Sequence, residues 1–548
     1  MQRIDTDVLI IGGGLAGCQA AVRARQNGLD VAVLEKQFVH HSGEACMGLK
    51  DIACLIPGVH DKQAEIDGMK RACHGLQDET FVELILDGSY PMMERLEEWG
   101  IQVRDDQGNL VWDQSMFWSC NLYIWNGLDL KKGHARQVKK SGARIFNRVM
   151  MTDLLVENGE VVGAAGFDTR SGEPLIAQAK ATVIASGGCT RMYQAPSGEN
   201  FNRWRNPYHT GDGYAAALRA GARLKHMEFV QGTLVPKDFT APGINSFIGV
   251  GAKLINANGE RFMGKYAGER MEKAPRQLLV YAVYTEIKEG RGPVFLDFRD
   301  LDREHVEIVL RGFRNEKPTY FRYFEERDID LEQSMMEIEV SEPYTRGMMT
   351  GGIDVGHDFS LTLPGLFGVG DATAYSGFYS ATGAMVLGWE GAQRAADYAK
   401  SLRRPARASE KTIQAAVERL ELPMRRPEGV EPVQIERNLQ RVMSSYVCYD
   451  RNEVGLTHAL ERIRGIQRYA YDQVGARTVQ QKVKAHEAIN MAEVAEAITL
   501  AARERKESRM FLNHRRTDYT ERDDGNWLKH LVVQKVGDSL RVNQRPLP

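Results

Sequence analysis

A glycine-rich turn between two apolar strands constrains the fold of this chain more than any other feature. The stretch DVLIIGGGLAGCQAAVRARQNGLDVAVLEK has an apolar strand, glycines in G-x-G-x-x-G spacing, a segment of helical composition and a second apolar strand that ends in an acid. The glycines permit a tight turn, a close approach of the backbone to a pyrophosphate, and close packing of helix on strand. The helix N-terminus attracts phosphate, and the acid accepts from a ribose hydroxyl. The stretch therefore predicts a dinucleotide site formed by Gly12, Gly14, Leu15, Ala16, Gly17, Glu35 and Lys36.

Two later segments bear on whether the dinucleotide is NAD or FAD. ATVIASGG, at 181–188, is an apolar strand that ends in small residues, and LPGLFGVGDA, at 363–372, is another that ends in Gly-Asp. Distant strands that return to one nucleotide site, the last with an acid suited to a ribityl chain, favour a flavoprotein with two dinucleotide-binding halves. A helix N-cap is the alternative role for the acid. The FAD contacts predicted here are Ala185, Ser186, Gly187, Gly370 and Asp371.

Composition excludes several classes of function. A chain of 548 residues is expected to form two to four domains, and its net charge of −2 gives no reason to expect binding to nucleic acid or an anionic membrane. No apolar run reaches the roughly 20 residues that span a bilayer, and residues 1–7 lead directly into a strand pattern, so we expect no signal peptide. The seven cysteines are dispersed without a C-x-x-C pair, which predicts a reducing, cytoplasmic location and no iron–sulfur cluster within the chain.

Motifs along nearly the whole chain resemble one flavoprotein family. HTGDGYAAALRAGARLKHMEFVQ (209–231) is similar to its T-G-D-G and M-E-F-x-Q segments, while GERFM (259–263) and GPVFLDFRDL (292–301) are similar to its cap domain. KESRMFLNHRRTDYTERDDGNWLKH (506–530) resembles its closing segment. The family comprises the flavoprotein subunits of fumarate reductase, succinate dehydrogenase, L-aspartate oxidase and adenylylsulfate reductase. The resemblance adds Asp212 to the expected FAD contacts.

Within this family the chain resembles the adenylylsulfate reductase alpha subunit most. EKQFVHHSGEACMGLKDI (35–52) and SEPY (341–344) are similar to segments of that branch. Fumarate reductases have Ser-His where this chain has Ser42-Gly43, and that histidine is their covalent flavin link. The resemblance therefore implies FAD bound without a covalent bond, with Ser42, Gly43 and Gly48 as contacts. A shifted attachment at His40 or His41 is the alternative.

The family also implies an architecture. We expect an α/β fold in which a split, two-dinucleotide-binding (Rossmann-like) FAD domain carries an inserted α+β cap domain, followed by a helical C-terminal domain. The expected bounds are 1–231 and 346–402 for the two parts of the FAD domain, 232–345 for the cap, and 403–548 for the helical domain. Apolar residues at i, i+3, i+4 and i+7 spacing in 438–474 independently indicate helices.

Most of the family's catalytic positions are replaced. Thr233 occupies the place of a histidine, while Val235, Ile248 and Val386 occupy places where relatives have polar or charged residues. Arg276, in APRQLLVYA, matches the arginine with which fumarate reductases deliver a proton, although the following glutamine departs from the P-R-D motif.

The remaining position concerns a methionine pair. Met348 and Met349 precede the Gly351-Gly352 turn, and the family's substrate histidine falls on Gly347 or Met349 depending on the direction of counting. A methionine pair is ordinarily core packing, but at this position we expect it to line the substrate pocket. The predicted catalytic-site residues are therefore Arg276, Met348, Met349 and Thr233.

These observations predict an FAD-dependent oxidoreductase subunit with a neutral or largely apolar substrate, because buried charges need partners and this pocket has lost them. The resemblance implies electron exchange with a separate ferredoxin-like iron–sulfur subunit in a hetero-oligomer. One alternative is a non-catalytic, FAD-bearing electron-transfer or scaffold subunit with a sealed pocket. The other is a fumarate reductase or adenylylsulfate reductase activity. No metal site is expected in the chain.

Overall fold

The computed structural model describes residues 1–113, 120–241, 243–347, 350–375, 377, 379–403, 405–509 and 513–547. Its strands are β1 (Gln2–Ile11), β2 (Val31–Glu35), β3 (Asp51–Ala53), β4 (Trp112–Asp113), β5 (Asn121–Tyr123), β6 (Arg144–Asn147), β7 (Val149–Glu157), β8 (Glu160–Asp168), β9 (Pro174–Ile184), β10 (Leu224–Lys225), β11 (Leu234–Pro236), β12 (Lys253–Ile255), β13 (Val294–Asp297), β14 (Met335–Val340), β15 (Gly352–Ile353), β16 (Leu366–Gly368), β17 (Asp450–Arg451), β18 (Arg515–Arg516), β19 (Lys529–Val536) and β20 (Ser539–Pro546).

The α-helices are α1 (Leu15–Gln26), α2 (Lys62–Ala72), α3 (Glu79–Glu98), α4 (Leu130–Ser141), α5 (Asp212–Ala220), α6 (Ile244–Gly249), α7 (Met263–Ala267), α8 (Arg276–Lys288), α9 (Arg303–Glu316), α10 (Thr319–Glu326), α11 (Ser380–Ser401), α12 (Glu410–Glu421), α13 (Pro432–Tyr446), α14 (Glu453–Gln473), α15 (Val479–Glu504) and α16 (Asp524–Trp527). Short 3₁₀ helices lie at Glu44–Met47, Gly127–Asp129, Gly268–Lys273, Gly370–Ala372 and Leu422–Arg425.

The largest sheet brings together strands from distant parts of the chain. Its order is β6-β2-β1-β9-β8-β7, and β16 pairs with β9. Strands β6, β2, β1, β9 and β16 run parallel, while β7, β8 and β9 are antiparallel neighbours. Continuous apolar runs such as the fully buried β2 are typical of parallel strands covered on both faces. The carboxyl ends of β1, β2, β9 and β16 therefore meet at one edge, where open α/β sheets bind ligands.

Helices α1 and α11 cover this sheet beside that edge. A Cβ on Gly388 of α11 would overlap the backbone of Ala16 in α1, so the two helices touch closely at a glycine. Strands from residues 1–231 and strand β16 thus share one sheet, which is covered by helices. The predicted α/β fold class is confirmed. The exact domain bounds stay a prediction.

A second, antiparallel sheet lies between the two parts of the first. Its order is β11-β14-β13-β12, and α6, α8, α9 and α10 contribute to a separate apolar core with it. Leu234, Phe247, Val283, Leu296 and Tyr320 are fully buried in that core. The expected cap has its own core, as an independently packed α+β unit requires.

The end of the chain departs from the expected helical domain. Helices α13, α14 and α15 pack together, but β19 and β20 form a hairpin in which Val536 pairs with Ser539. Gly537, at φ 61°, occupies the two-residue turn, where a positive φ matches the twist of the strands. Strand β19 then pairs with β10, so the closing segment is a β-hairpin that joins a sheet with residues of the FAD domain.

Two wider expectations concern the described part of the chain. It contains no helix that is both long and apolar enough to cross a membrane. All seven cysteines lie in the described part and are free thiols.

Candidate cofactor and substrate site

The glycine turn brings β1, α1 and β9 to a separation that side chains would prevent. Gly12 has φ 103°, and a Cβ at this residue would lie 2.5 Å from the carbonyl oxygen of Ala185 in the loop after β9. A Cβ on Gly17 would overlap the carbonyl oxygen of Gly12. Ser42 supports the turn from outside, because its hydroxyl donates to the Gly13 carbonyl over 3.3 Å.

Gly14 leaves open space beside the N-terminus of α1. It is the N-cap of the helix, and the nearest atom to a Cβ there would be the Cα of Gly43, at 4.0 Å. Gly14, Leu15 and Ala16 line a cavity at this point. Free N–H groups and the positive end of a helix dipole favour an anionic group here. This cradle fits a pyrophosphate.

Glu35 lies at the carboxyl end of β2 and is held by the neighbouring backbone. Its carboxylate accepts from the N–H of Gly13 at 2.6 Å and from the N–H of Gln37 at 2.7 Å. A carboxylate has about four lone-pair sites, so acceptor capacity remains for a ligand hydroxyl. Glu35 is in the cavity lining, and its predicted contact with a ribose stays a prediction.

Lys36 and Asp212 form part of a buried ion network. The Lys36 ammonium lies 2.7 Å from Asp212 and 3.1 Å from Glu487 of α15, and it donates to Thr210 at 3.1 Å. Although burial acts in the opposite direction, these two acids raise the pKa of Lys36. Lys36 and Asp212 both line the cavity. Their charges are balanced mainly by each other and by Glu487, which is 451 residues from Lys36 in the sequence.

The far side of the cradle contains polar atoms without partners. The hydroxyl of Ser186 and Oδ1 of Asp371 are buried and have no hydrogen-bond partner among the described residues. Oδ2 of Asp371 lies 3.3 Å from Arg346. Burial raises the pKa of Asp371, and Arg346 opposes that shift. Buried polar groups without partners cost free energy, so these two fit the hydroxyls of a bound polyol chain.

These features border one cavity of about 1540 Å³. From the expected cofactor contacts its lining includes Gly12, Gly14, Leu15, Ala16, Glu35, Lys36, Gly43, Gly48, Ala185, Ser186, Gly187, Asp212 and Asp371. Gly17, Ser42 and Gly370 are behind the lining and shape it. A Cβ on Gly370, for example, would lie 2.6 Å from the Cβ of Ala16.

The same cavity extends into the cap, where Arg276 is the first residue of α8. Its Nε is buried without a hydrogen-bond partner, and it has no acidic partner among the described residues. Burial lowers the pKa of Arg276, and the cationic Arg205 and Arg346 act in the same direction.

Thr233 is not in the cavity lining, contrary to its expected place in the catalytic site. It is 2% exposed, and its backbone is paired with Ser341, whose hydroxyl accepts from the Thr233 N–H at 3.1 Å. The short strand β11 that follows draws this segment into the cap sheet. Met348 and Met349 lie outside the described residues, so their predicted place in the pocket wall stays a prediction.

The expected apolar pocket wall is only partly present. Ile248 lines the cavity, but Val235 and Val386 are not in its lining. Val235 packs with Trp204 and Tyr344, and Val386 packs with Leu15 and Met385. The sequence showed that polar residues of the relatives are replaced by apolar ones at these positions. It did not show that the side chains of Val235 and Val386 point into apolar cores and not into the cavity.

Sequence reasoning missed a polar cluster on the cavity wall. The Arg205 guanidinium lies 3.2 Å from Glu44 and 3.8 Å from the centre of the Trp204 ring, and it donates to the Tyr344 hydroxyl at 3.3 Å. His209 lies 3.1 Å from the other oxygen of Glu44. Burial would raise the pKa of Glu44, but Arg205 and His209 lower it to about 2. The available signal was the aromatic and basic run WRNPYH at 204–209.

The fold and the cavity define a class of protein. A glycine cradle that fits a pyrophosphate stands at the carboxyl edge of a parallel sheet, the buried polar atoms of Ser186 and Asp371 stand beside it, and the cavity continues under an inserted cap. This is the arrangement of an FAD-dependent oxidoreductase.

Comparison with known proteins places the chain in a family. Residues 7–386 match the family described as FAD binding domain, and residues 436–548 match fumarate reductase flavoprotein C-term. The chain is 29% identical to the fumarate reductase flavoprotein subunit of Mycobacterium tuberculosis, with 99% of this chain and 97% of the relative covered. It is 26% identical to the succinate dehydrogenase flavoprotein subunit of Rickettsia bellii, with 96% of this chain and 92% of the relative covered.

A solved structure shows the same fold. Adenylylsulfate reductase from Archaeoglobus fulgidus superposes with a TM-score of 0.91 at 24% identity, covering 100% of this chain and 96% of the other. The chain belongs to the FAD-binding family that contains the flavoprotein subunits of fumarate reductase and succinate dehydrogenase, and its cofactor is FAD. The predicted family, class of enzyme and cofactor are confirmed.

Proposed function

We propose that this chain transfers electrons between FAD and an organic substrate that contacts Arg276, and exchanges those electrons with a separate iron–sulfur protein. The observation that carries the proposal is the position of Arg276. A guanidinium without an acidic partner stands in the same cavity as the dinucleotide cradle. Bound FAD supplies hydride and electron transfer.

The cavity is large enough for two molecules. Its volume of about 1540 Å³ exceeds the roughly 300–1,000 Å³ of a pocket for one small ligand. The cap residues Ile248, Val309, Phe313 and Arg276 line the part beyond the cradle. An open space beside the cofactor favours an enzyme over the alternative of a subunit with a sealed pocket.

The surroundings of Arg276 suit a proton donor or an anchor for an acceptor group. A cation in the first turn of a helix is disfavoured by the helix dipole, by about 0.3–1 kcal/mol. Burial and the nearby Arg205 and Arg346 add to this cost and lower the pKa of Arg276. A substrate oxygen that accepts a hydrogen bond from the guanidinium would offset that cost, which suits an anchor. The lowered pKa of Arg276 itself makes this side chain a better proton donor than an exposed arginine.

The charges in the cavity limit the substrate. Arg205 is paired with Glu44, and Arg346 is paired with Asp371. Of these three arginines, Arg276 alone has no acidic partner among the described residues. Apolar residues of the cap stand next to it. The other cations of the lining include Lys50, Arg270, Lys273 and Lys317, which are partly or fully exposed. The buried part of the substrate should therefore have one anionic or acceptor group and an otherwise uncharged body, because a second buried charge would lack a buried partner. This narrows the earlier expectation of a neutral or apolar substrate.

The iron–sulfur partner is proposed on two grounds. No group of three or more histidine, cysteine, aspartate or glutamate residues in the described ranges could hold a metal ion. Relatives of the chain are named as subunits, which indicates that they work in assemblies. An external electron carrier is the simplest complement to a flavoprotein of this kind.

A panel of electron acceptors tests the proposal. The FAD-loaded protein is reduced by light without oxygen, with EDTA as the electron donor. It is then mixed with uncharged enones, monocarboxylate enoates, fumarate or adenylylsulfate. We expect reoxidation of the flavin by members of the first two groups. Reoxidation only by fumarate or adenylylsulfate would contradict the proposed substrate. Exchange with an iron–sulfur protein and none with any organic acceptor would identify a non-catalytic subunit.

A further inference from the structure

Helix α4 has an unusual concentration of positive charge. Its sequence LKKGHARQVKKS contains five basic residues and no acid, in a chain with a net charge of −2. Lys131 is buried, whereas Lys132, Arg136, Lys139 and Lys140 are exposed. Spacings of four, seven and eight residues place these four side chains on one face of the helix.

This basic face is largely unpaired. Lys132 lies 3.3 Å from Asp129. For Arg136, Lys139 and Lys140 the described part of the chain provides no acidic partner within salt-bridge distance. The face therefore presents at least three uncompensated cations to solvent.

An aromatic cluster adjoins α4. Phe38 stacks on His40 and His41, with ring centres 5.5 Å and 6.3 Å apart, and Phe38 is 40% exposed. The buried Lys131 ammonium donates to the carbonyl of Val39, which fixes α4 against this segment. Burial lowers the pKa of His40, and the nearby cations Lys131, Arg136 and Lys139 act in the same direction, so the cations of α4 lie beside the ring cluster.

The segment that bears these rings is also the wall of the cofactor cavity. Gln37, Gly43 and Glu44 line the cavity, while Phe38 and His41 are exposed to solvent. A single thickness of chain therefore separates the cofactor cavity from this surface. A carrier docked here would therefore be separated from the cofactor cavity by this segment alone.

We propose that the α4 patch, defined as Lys132, Arg136, Lys139 and Lys140 with Phe38 and His41, binds the acidic face of a small iron–sulfur electron carrier. The inference rests on the proposed exchange with an iron–sulfur partner and specifies where that partner binds. Charge complementarity would steer the carrier to the patch and raise the association rate by roughly 10–10³-fold. Exposed aromatic and arginine side chains are enriched in protein interfaces.

The test uses an acidic plant-type [2Fe–2S] ferredoxin as the probe. Two reduced ferredoxin molecules lose one electron each, and one FAD gains two electrons with protons taken from water. The second-order rate of flavin reduction is measured by stopped flow at low and high salt. We expect Arg136→Glu with Lys140→Glu to lower the rate about tenfold or more at low salt, and the difference to shrink to about twofold or less near 1 M salt, where screening acts within about 3 Å.

A matched pair of substitutions controls for net charge. Arg437 and Arg441 are exposed on α13 with the same spacing of four residues. Their replacement by glutamate should leave the rate within about twofold of the unmodified protein. FAD content and the thermal midpoint of each variant verify that the fold is retained.

Three outcomes would overturn the inference. The first is an equal loss in both double variants. The second is unmodified protein that reduced ferredoxin does not reduce. The third is binding through Arg136 and Lys140 to phosphatidylserine vesicles or duplex DNA without any effect on the ferredoxin reaction. Reoxidation of the light-reduced flavin by organic acceptors is judged separately, so failure of the patch leaves the proposed activity standing.

Discussion

The sharpest prediction compares two glycines of the cradle. Gly14 has ordinary backbone angles, φ −66° and ψ −168°, and a Cβ there would meet nothing nearer than 4.0 Å. Gly14→Ala should therefore leave the stability of the FAD-free protein within about 0.5 kcal/mol of the original. Its methyl group would, however, occupy the space through which the pyrophosphate approaches the backbone.

The size of the effect follows from overpacking. An added methyl group in a close-packed contact costs about 1–3 kcal/mol, which corresponds to a weakening of FAD binding by about 5- to 140-fold. Gly17→Ala should behave differently, because its Cβ would overlap the Gly12 carbonyl oxygen in the protein itself. That variant should lose about 1–3 kcal/mol or more of folding free energy even without FAD.

Two measurements separate these cases. Quenching of flavin fluorescence during titration of the FAD-free protein gives the dissociation constant, and thermal unfolding of the FAD-free protein gives its stability. The reasoning is refuted if Gly14→Ala binds FAD as tightly as the unmodified protein. It is equally refuted if Gly14→Ala lowers the unfolding midpoint as much as Gly17→Ala.

Three further predictions concern the cofactor bond and stability. Because Gly43 has no side chain to attach FAD, acid precipitation should release the flavin to the supernatant; flavin retained in the pellet would show a covalent bond. Burial lowers the pKa of His486 to about 4 in the folded protein, below its value near 6.5 in the unfolded chain. As the pH falls below 6.5, the unfolded chain is protonated at His486 before the folded protein is, so the free energy of unfolding decreases. Denaturant titrations at pH 7 and pH 5 should show that His486→Gln removes about 2 kcal/mol of this loss; an unchanged difference would refute it. Glu487→Gln, which removes a 1% exposed partner of Lys36, should cost about 3–5 kcal/mol. The exposed Glu428→Gln should cost less than about 1 kcal/mol in the same thermal assay, and similar costs for the two variants would contradict the argument.

Local sequence patterns predicted the cofactor and the glycine turn that lines the cavity. The glycine spacing and the acid at the end of β2 predicted the glycine cradle, because the geometry of a phosphate-binding turn is encoded within about thirty residues. The return of β16 to the side of β9, where Gly368 pairs with Ile184, followed from the small residues and the acid at the strand ends. Each of these features depends on nearby sequence.

Long-range packing explains what the sequence did not reveal. The ion pair between Lys36 and Glu487 forms only because α15 packs beside the cradle. The spacing of apolar residues in the sequence cannot predict that contact. Arg205 and Glu44 meet across 161 residues, so neither position indicated a polar cavity wall. Thr233 was expected in the site from its place in a motif, but its pairing with the cap sheet withdraws it from the cavity.

The central claim is that a substrate reacts in the cavity at Arg276. Its most direct test is stopped-flow reoxidation of the light-reduced flavin by an acceptor identified in the panel, in Arg276→Gln and in Arg322→Gln, a control in which an 80% exposed cap arginine is changed. The account predicts a rate about 10²- to 10⁴-fold lower for Arg276→Gln, with FAD affinity unchanged and with the control close to the unmodified protein. Equal rates in all three proteins would contradict it.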